Sequence, residues 1–294
     1  MVKKGVYAAT LSLLNQDLSL NVEATINHAE SIIKQGLHGV FFFGSTGQSQ
    51  LISNLEKKEL ISKISQSKFR KNFYLGTGCN SLNETLDLIG YGINYNFNTY
   101  LIMPPAYYKG NTDQGVYKFY SLLIKKYPNI KIILYNFEKL SGYKFSKEMV
   151  LRLVNDFKKN IIGCKDSSYN LFENLKIKNF LMFPGSEAKL LDGLEKGCDG
   201  CISATTNVTH FLARKVFDDY EKKQEQISNK KLVEVRKLFD KYNLISALHS
   251  YLAGKNKIYQ NLLPPLINLT KEEKNLLVKD LLKLKFNLEE NRAA

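Results

Sequence analysis

The feature that most constrains this 294-residue sequence is a rhythm. Short apolar runs rich in β-branched and aromatic residues recur at intervals of roughly 20 to 35 residues, the length of a strand-plus-helix repeat. The runs fall at residues 40–43, 73–75, 100–103, 132–135, 161–164, 180–183 and 201–203, and a first strand is expected near Gly5 to Thr10, making eight. Between them, residues 22–36, 51–69, 82–91, 116–127 and 149–157 place apolar side chains at helical spacing, the first ending on Gly36 as a C-cap would. Strands alternating with helical crossovers imply a parallel sheet in an α/β fold. Eight such units close into a (β/α)8 TIM barrel, for which about 250 residues is typical. From about Phe211 onward the pattern is helical, with apolar stripes at residues 232–252 and 271–288 separated by Leu263-Pro264-Pro265. The expected organisation is a barrel over residues 1–225 and a C-terminal helical extension over 226–294 packed on it. A doubly wound open sheet fits the same periodicity, which carries no information on closure.

Composition narrows the function classes. Hydrophobic residues at 44% and charged residues at 24% describe a globular chain. No apolar run approaches the about 18 residues of a membrane span, and the opening residues lack the apolar stretch of a signal peptide, so a cytoplasmic protein with no membrane partner is expected. The net charge of +14 raises nucleic-acid binding as an alternative. It is disfavoured because the lysines are dispersed and the arginines number five, Arg70, Arg152, Arg214, Arg236 and Arg292. Cys198 and Cys201 have CxxC spacing, but no second ligand pair accompanies them, and small core cysteines are the better reading of Cys79, Cys164, Cys198 and Cys201. His28, His38, His210 and His249 are scattered, with no metal-ligand spacing, and His28 and His38 read as solvated. No metal is expected.

In a barrel the catalytic groups sit at the C-terminal strand ends and in the loops after them. After the second strand, Gly44-Ser45-Thr46-Gly47 makes a tight turn whose backbone N–H groups suit a carboxylate, although an ordinary turn reads the same way. Tyr135 closes the fifth run, and it fits either a proton-transferring hydroxyl at the barrel mouth or a core tyrosine. Lys165 ends the sixth run, Ile161-Ile162-Gly163-Cys164. Bringing an ammonium into a barrel is costly, and desolvation favours the neutral amine that attacks carbonyls. A buried ion pair with Asp166 is the other reading.

Taken together, Gly-Ser-Thr-Gly after strand two, Tyr135-Asn136…Ser141-Gly142 after strand five and Gly163-Cys-Lys165-Asp after strand six resemble the dihydrodipicolinate synthase/N-acetylneuraminate lyase superfamily of pyruvate-dependent class I aldolases. Gly76-Thr-Gly-Cys-Asn80, Pro104-Pro-Ala-Tyr-Tyr108, Pro184-Gly-Ser-Glu187 and Gly197-Cys-Asp-Gly-Cys-Ile-Ser203 extend the resemblance over about residues 5 to 290. It implies that Lys165 forms a Schiff base with pyruvate or a 2-keto acid, with no other cofactor. It implies that Ser45, Thr46 and Gly47 hold the keto-acid carboxylate and that Tyr135 is the general acid/base. Tyr108 would complete a proton relay through Thr46 in a neighbouring subunit of a homotetramer, a dimer of dimers. Gly185, Ser186 and Glu187 would meet substrate hydroxyls, and Ile202 and Ser203 would line the floor near the imine.

The partner of pyruvate is less constrained. Dihydrodipicolinate synthases carry an arginine where this chain has Leu140, and losing a charged clamp in a dry site costs selective binding. Leu140-Ser-Gly looks more like N-acetylneuraminate lyases, whereas Gln48 stands where most members have Glu. Asn80 and Glu84 match positions of a lysine-feedback site in some synthases. The expected activity is cleavage or formation of a carbon–carbon bond to pyruvate on a 2-keto-3-deoxy sugar acid or related 2-keto acid. Dihydrodipicolinate synthase is the alternative, and a non-catalytic ligand-binding barrel the reading from another class.

Overall fold

The computed structural model describes residues 2–287; Arg292 and the expected helix end at Leu288 lie outside the described residues. Strands β1 (Gly5–Ala9), β2 (Gly39–Phe42), β3 (Phe73–Gly76), β4 (Thr99–Ile102), β5 (Lys131–Asn136), β6 (Ile161–Asp166), β7 (Leu181–Pro184) and β8 (Gly200–Ser203) are the eight expected runs, each within a few residues of its place. They are parallel and neighbour one another in chain order, and β1 pairs with both β2 and β8. The ring closes between β7 and β8, where the Asp199 N–H donates to the Met182 carbonyl at 2.9 Å. Sequential order with closure removes the doubly wound alternative: the fold is a (β/α)8 barrel.

Strand alternation sorts the side chains. Tyr7, Phe41, Tyr74, Leu101, Ile133, Tyr135, Phe183 and Ile202 point inward and fill the barrel. Their neighbours, among them Ala8, Phe42, Leu75, Ile132, Cys164, Met182 and Cys201, point outward into the layer beneath the helices. All four cysteines are buried thiols, Cys201 in that outer layer.

The crossover helices are α1 (Val22–Lys34), α2 (Asn54–Ile64), α3 (Leu82–Asn94), α4 (Asp113–Lys126), the short α5 (Glu138–Ser141), α6 (Lys147–Asp156), α7 (Leu190–Glu195) and α8 (Thr206–Glu221). α2 is shorter than the apolar pattern of residues 51–69, because Ser53 and Glu56 form a capping box that fixes its start. Among the described residues β6 and β7 are joined without a helix. There the Asp166 carboxylate does the work of a crossover, accepting from the N–H groups of Tyr169, Leu171 and Phe172 at 2.8 to 3.0 Å.

The C-terminal part comprises α9 (Ile227–Phe239), α10 (Leu244–Ala253) and α11 (Lys271–Lys283). The single stripe read at residues 232–252 is two helices, because the Asn243 side chain caps α10 at the Ser246 N–H and breaks the chain direction. The expected boundary at 225/226 falls in the turn between α8 and α9.

His28 corrects the sequence reading of a solvated residue. It is 5% exposed, its Nε2–H donates to Asn207 Oδ1 at 2.8 Å, and the Tyr259 hydroxyl donates to its Nδ1 at 2.9 Å. His38 is half-buried, its Nδ1 accepting from the Val6 N–H at 3.0 Å. Burial drives His28 and His249 down to about 4, against about 6.5 for an open chain. Between those values the unfolded chain binds protons that the folded chain refuses, so stability is complete above pH 6.5 and falls as pH drops toward 4. Urea unfolding at pH 5 is expected to show a loss of about 2 kcal/mol per histidine relative to pH 7.5, and an unchanged midpoint would refute neutral burial.

Candidate active site

Ser45, Thr46, Tyr135 and Lys165 gather at one end of the barrel, around a cavity of about 1050 Å³ at the C-terminal strand ends. Strand register explains its floor. Tyr135 of β5 pairs with Lys165 of β6, so both point inward, whereas the next pair, Asn136 with Asp166, points outward. Lys165 is 3% exposed and its Nζ stands 4.2 Å above the centre of the Tyr135 ring. Among the described residues this nitrogen makes no hydrogen bond or ion pair; its contact is the π face of the tyrosine. The ion pair with Asp166 does not form, because the Asp166 carboxylate is occupied by three backbone N–H groups and by Asn136 Nδ2 at 2.8 Å. Tyr135 and Lys165 thus face the cavity while Asn136 and Asp166 anchor the loops around it.

A second buried lysine, Lys57, provides a contrast. Its Nζ donates to the carbonyls of Thr77 and Gly78 at 3.2 Å each and to Cys79 Sγ at 3.6 Å, and burial lowers its proton affinity. Lys57 is saturated with acceptors and does not line the cavity; Lys165 does.

The turn after β2 supplies the opposite wall. Ser45, Thr46 and Gly47 form one tight helical turn, bracketed by Phe43 at φ +58° and Gln48 at φ +55°. Two non-glycine residues in the left-handed region next to a cavity mark a backbone held in place by its surroundings. Gly47 is required: a Cβ there would lie 2.9 Å from the Thr10 carbonyl oxygen. Its N–H and that of Gln48 turn back onto the Gly44 and Ser45 carbonyls, and among the described residues no acceptor within the chain is found for the N–H groups of Ser45 and Thr46. The hydroxyl that meets Tyr135 belongs to Ser45, Oγ to Oη 3.1 Å, where the resemblance had placed Thr46 in the relay. Thr46, 5% exposed, lines the cavity beside it.

The other expected residues divide. Gly185 lines the cavity, and a Cβ on it would fall 2.9 Å from the Ser167 Cα, so the loops after β6 and β7 touch there only because it is glycine. Ser186, Glu187, Ile202 and Ser203 do not reach the cavity. Ser186 caps the following turn at the Ala188 N–H, and Ile202 belongs to the barrel filling. Glu187, expected to meet substrate, is fully buried: it accepts from Ser203 Oγ, from Thr209 Oγ1 at 3.1 Å and from Arg236 Nη1 at 3.1 Å. Tyr108 lies outside the cavity with 75% of its surface exposed, and Tyr107, at φ +81°, lines the rim instead.

Sequence reasoning missed two groups. Gln48 lines the cavity with its Oε1 accepting from the Leu263 N–H at 2.8 Å and its Nε2 buried without a partner among the described residues, a free donor beside the Ser45 turn. Its place directly after the Gly-Ser-Thr-Gly turn was the available signal. Arg236, Asp240 and Asn243 bring α9 and α10 to the mouth, so the C-terminal helices form one wall of the site. An arginine within an apolar stripe, in a chain with few arginines, marked that helix. Among the described residues no three His, Cys, Asp or Glu side chains gather as metal ligands, and no helix is long and apolar enough to cross a membrane.

The family model for the dihydrodipicolinate synthetase family matches residues 2–284, and the chain belongs to that family of pyruvate-dependent class I lyases and aldolases. It is 26% identical over 252 residues to a 2-dehydro-3-deoxy-D-gluconate/2-dehydro-3-deoxy-phosphogluconate aldolase of Picrophilus torridus, covering 81% of this chain and 92% of the relative. It is 29% identical over 220 residues to a 4-hydroxy-tetrahydrodipicolinate synthase of Bartonella bacilliformis, covering 73% and 74%. A prophage protein of E. coli K12 in the dihydrodipicolinic acid synthase family, crystallised in complex with pyruvate, shares the fold at TM-score 0.87 and 20% identity over 98% of this chain and all of that one.

Proposed function

We propose that Lys165 attacks the C2 keto carbon of pyruvate, or of a 2-keto acid that yields it, to form an imine. The observation that carries this is the Lys165 Nζ, without a hydrogen bond or ion pair among the described residues, 4.2 Å over the Tyr135 ring at the floor of the cavity. Loss of water from the carbinolamine leaves a protonated imine, which draws the electrons of the C3–C4 bond as it breaks. The C4 hydroxyl gives up its proton as the aldehyde leaves, the enamine takes a proton at C3, and hydrolysis frees pyruvate and Lys165. Condensation is the reverse. Tyr135, hydrogen-bonded to Ser45, shuttles these protons. The N–H groups of Ser45 and Thr46 suit the substrate carboxylate, with Gln48 Nε2 a further donor.

The favoured substrate is a 2-keto-3-deoxy sugar acid. Leu140 supplies no charged clamp, while Gly185, Arg236, Asp240 and Asn243 give the outer cavity the mixed polar lining that hydroxyls need. The Picrophilus relative is named for such substrates. The second reading, condensation of pyruvate with aspartate semialdehyde, is supported by the Bartonella relative and by Lys139, which lines the cavity beside Leu140. Pyruvate release measured across sialic acid, 2-keto-3-deoxygluconate and related acids, with a semialdehyde condensation assay alongside, separates the two.

We further place the enzyme in the cytoplasm, where its four buried thiols suit a reducing medium, and assemble it as a homotetramer. Tyr107, Tyr108 and Leu55, each at least 75% exposed, leave apolar surface for a neighbouring copy to cover. Sedimentation is expected to give a tetramer, and a fully active monomer would remove Tyr108 from the relay.

A further inference from the structure

The opposite mouth of the barrel holds a second cavity, of about 1040 Å³, lined by the loops that lead into β2 to β5 and by the segment before β1. That segment runs beneath the barrel, with Val2 packed into the inner cluster and the Lys3 carbonyl accepting from the Tyr7 hydroxyl at 2.9 Å.

Its lining has an uneven chemistry. Lys3, Lys4, Arg70, Lys71 and Lys131 contribute to it, and no aspartate or glutamate does. Among the described residues none of these five cations is in an ion pair. Arg70 is fixed by neutral groups, Nη2 donating to the Tyr95 and Asn96 carbonyls at 2.8 and 3.0 Å while the guanidinium packs on the Phe97 ring. Lys131 likewise rests on the Lys159 carbonyl. Asp199 acts on Lys4 but is turned to the Met182 N–H and lies outside the lining. The positive field is therefore left for something other than the protein to neutralise.

Two further observations point to a ligand with an aromatic part. Tyr74 is 8% exposed, lines the cavity, and its hydroxyl has no hydrogen-bond partner among the described residues. Its ring packs at 5.9 Å from that of Tyr7, which also lines the cavity, and at 5.1 Å from that of Phe41 within the barrel filling. The exposed side chains of Asn98 and Asn129 also line the mouth. A simple inorganic anion needs neither the volume nor the rings; cations at a rim, tyrosine rings below and amides at the mouth together match phosphates, a planar base and the edge of that base.

We propose that the cavity at the N-terminal mouth is a binding site for a nucleoside phosphate, with the phosphates at Lys4, Arg70 and Lys71 and the base over Tyr74. The site is separate from the Lys165 end and does not depend on the catalytic reading. Titration calorimetry of the full chain with ATP, adenosine and inorganic tripolyphosphate tests it. ATP is expected to bind, tripolyphosphate at least about tenfold more weakly, and adenosine weakest of the three. Lys4→Glu and Lys71→Glu are each expected to weaken ATP about tenfold, and Tyr74→Phe, which removes only the hydroxyl, about fivefold. The thermal unfolding midpoint should match that of the parent chain in all three variants, which shows them folded. No ATP binding at millimolar concentration overturns the proposal. Tripolyphosphate binding as tightly as ATP reduces the cavity to a patch of charge, and ATP affinity indifferent to all three substitutions places the nucleotide elsewhere.

Discussion

Replacing Lys165 with methionine is expected to abolish turnover, lowering kcat by roughly 10⁴-fold or more, because the variant keeps the buried stem but has no nitrogen to form the imine. Met fills nearly the same volume, and Lys165 makes no hydrogen bond or ion pair among the described residues, so thermal stability should hold or rise. Incubation with pyruvate and borohydride followed by peptide mapping should place one reduced adduct on Lys165 of the parent chain and none on the variant. An adduct on Lys57 instead would overturn the assignment, since Lys57 is sequestered by Thr77, Gly78 and Cys79. Tyr135→Phe separates binding from proton transfer: it should still yield the adduct but turn over on the order of 10²-fold more slowly. A Tyr135→Phe enzyme with unaltered kcat would leave the tyrosine as packing beneath the lysine.

Why Lys165 and Tyr135 were legible in the sequence while Glu187 was misplaced follows from strand geometry. A residue ending a buried strand has its direction fixed by the alternation of its neighbours, so two apolar runs placed Tyr135 and Lys165 at strand ends, whereas their pairing, beyond a register shift at Ile132/Ile133, left no mark in the sequence. The eight strands emerged for the same reason. Residues in the loops beyond strand ends have no such constraint. Ser45 and Thr46 are adjacent, and only the backbone path of a turn flanked by two left-handed residues decides which hydroxyl reaches Tyr135. Glu187 stands one step past Ser186 and turns away from the cavity because Arg236, 49 residues later, waits for it behind β8. Long-range partners of this kind leave no local trace in a single sequence. Helix boundaries were lost on a smaller scale: the side chains of Ser53 and Asn243 end or begin helices where the apolar stripe runs on.

That Glu187–Arg236 contact carries the largest expected effect on stability. The Glu187 side chain is fully buried and that of Arg236 10% exposed, with Nη1 also donating to Ser203 Oγ and Thr205 Oγ1 and Nε to Asp240 Oδ1 at 2.8 Å. Burial works against the Arg236 charge, yet Glu187 and Asp240 together hold the guanidinium more firmly protonated than usual. The network ties α9 to the ends of β7 and β8 and so sets the distance between the C-terminal helices and the cavity floor. Glu187→Ala leaves Arg236 Nη1 facing two hydroxyls while Asp240 still pairs with Nε, and is expected to cost about 1.5–3 kcal/mol. Arg236→Met in the parent strands the fully buried carboxylate with no cation and should cost more, about 3–5 kcal/mol. Combining Glu187→Ala with Arg236→Met removes both charges, so the double variant should be markedly more stable than the sum of the two losses predicts, with a coupling of about 0.5–3 kcal/mol in a denaturant-based cycle. If the two losses simply add, the ion pair is not what holds α9 in place. Pyruvate adduct formation should survive in the double variant, because neither residue touches Lys165, while the apparent KM for the full substrate should rise as the α9 wall loosens. A kcat that falls with KM unchanged would instead assign Glu187 or Arg236 a part in the chemical step.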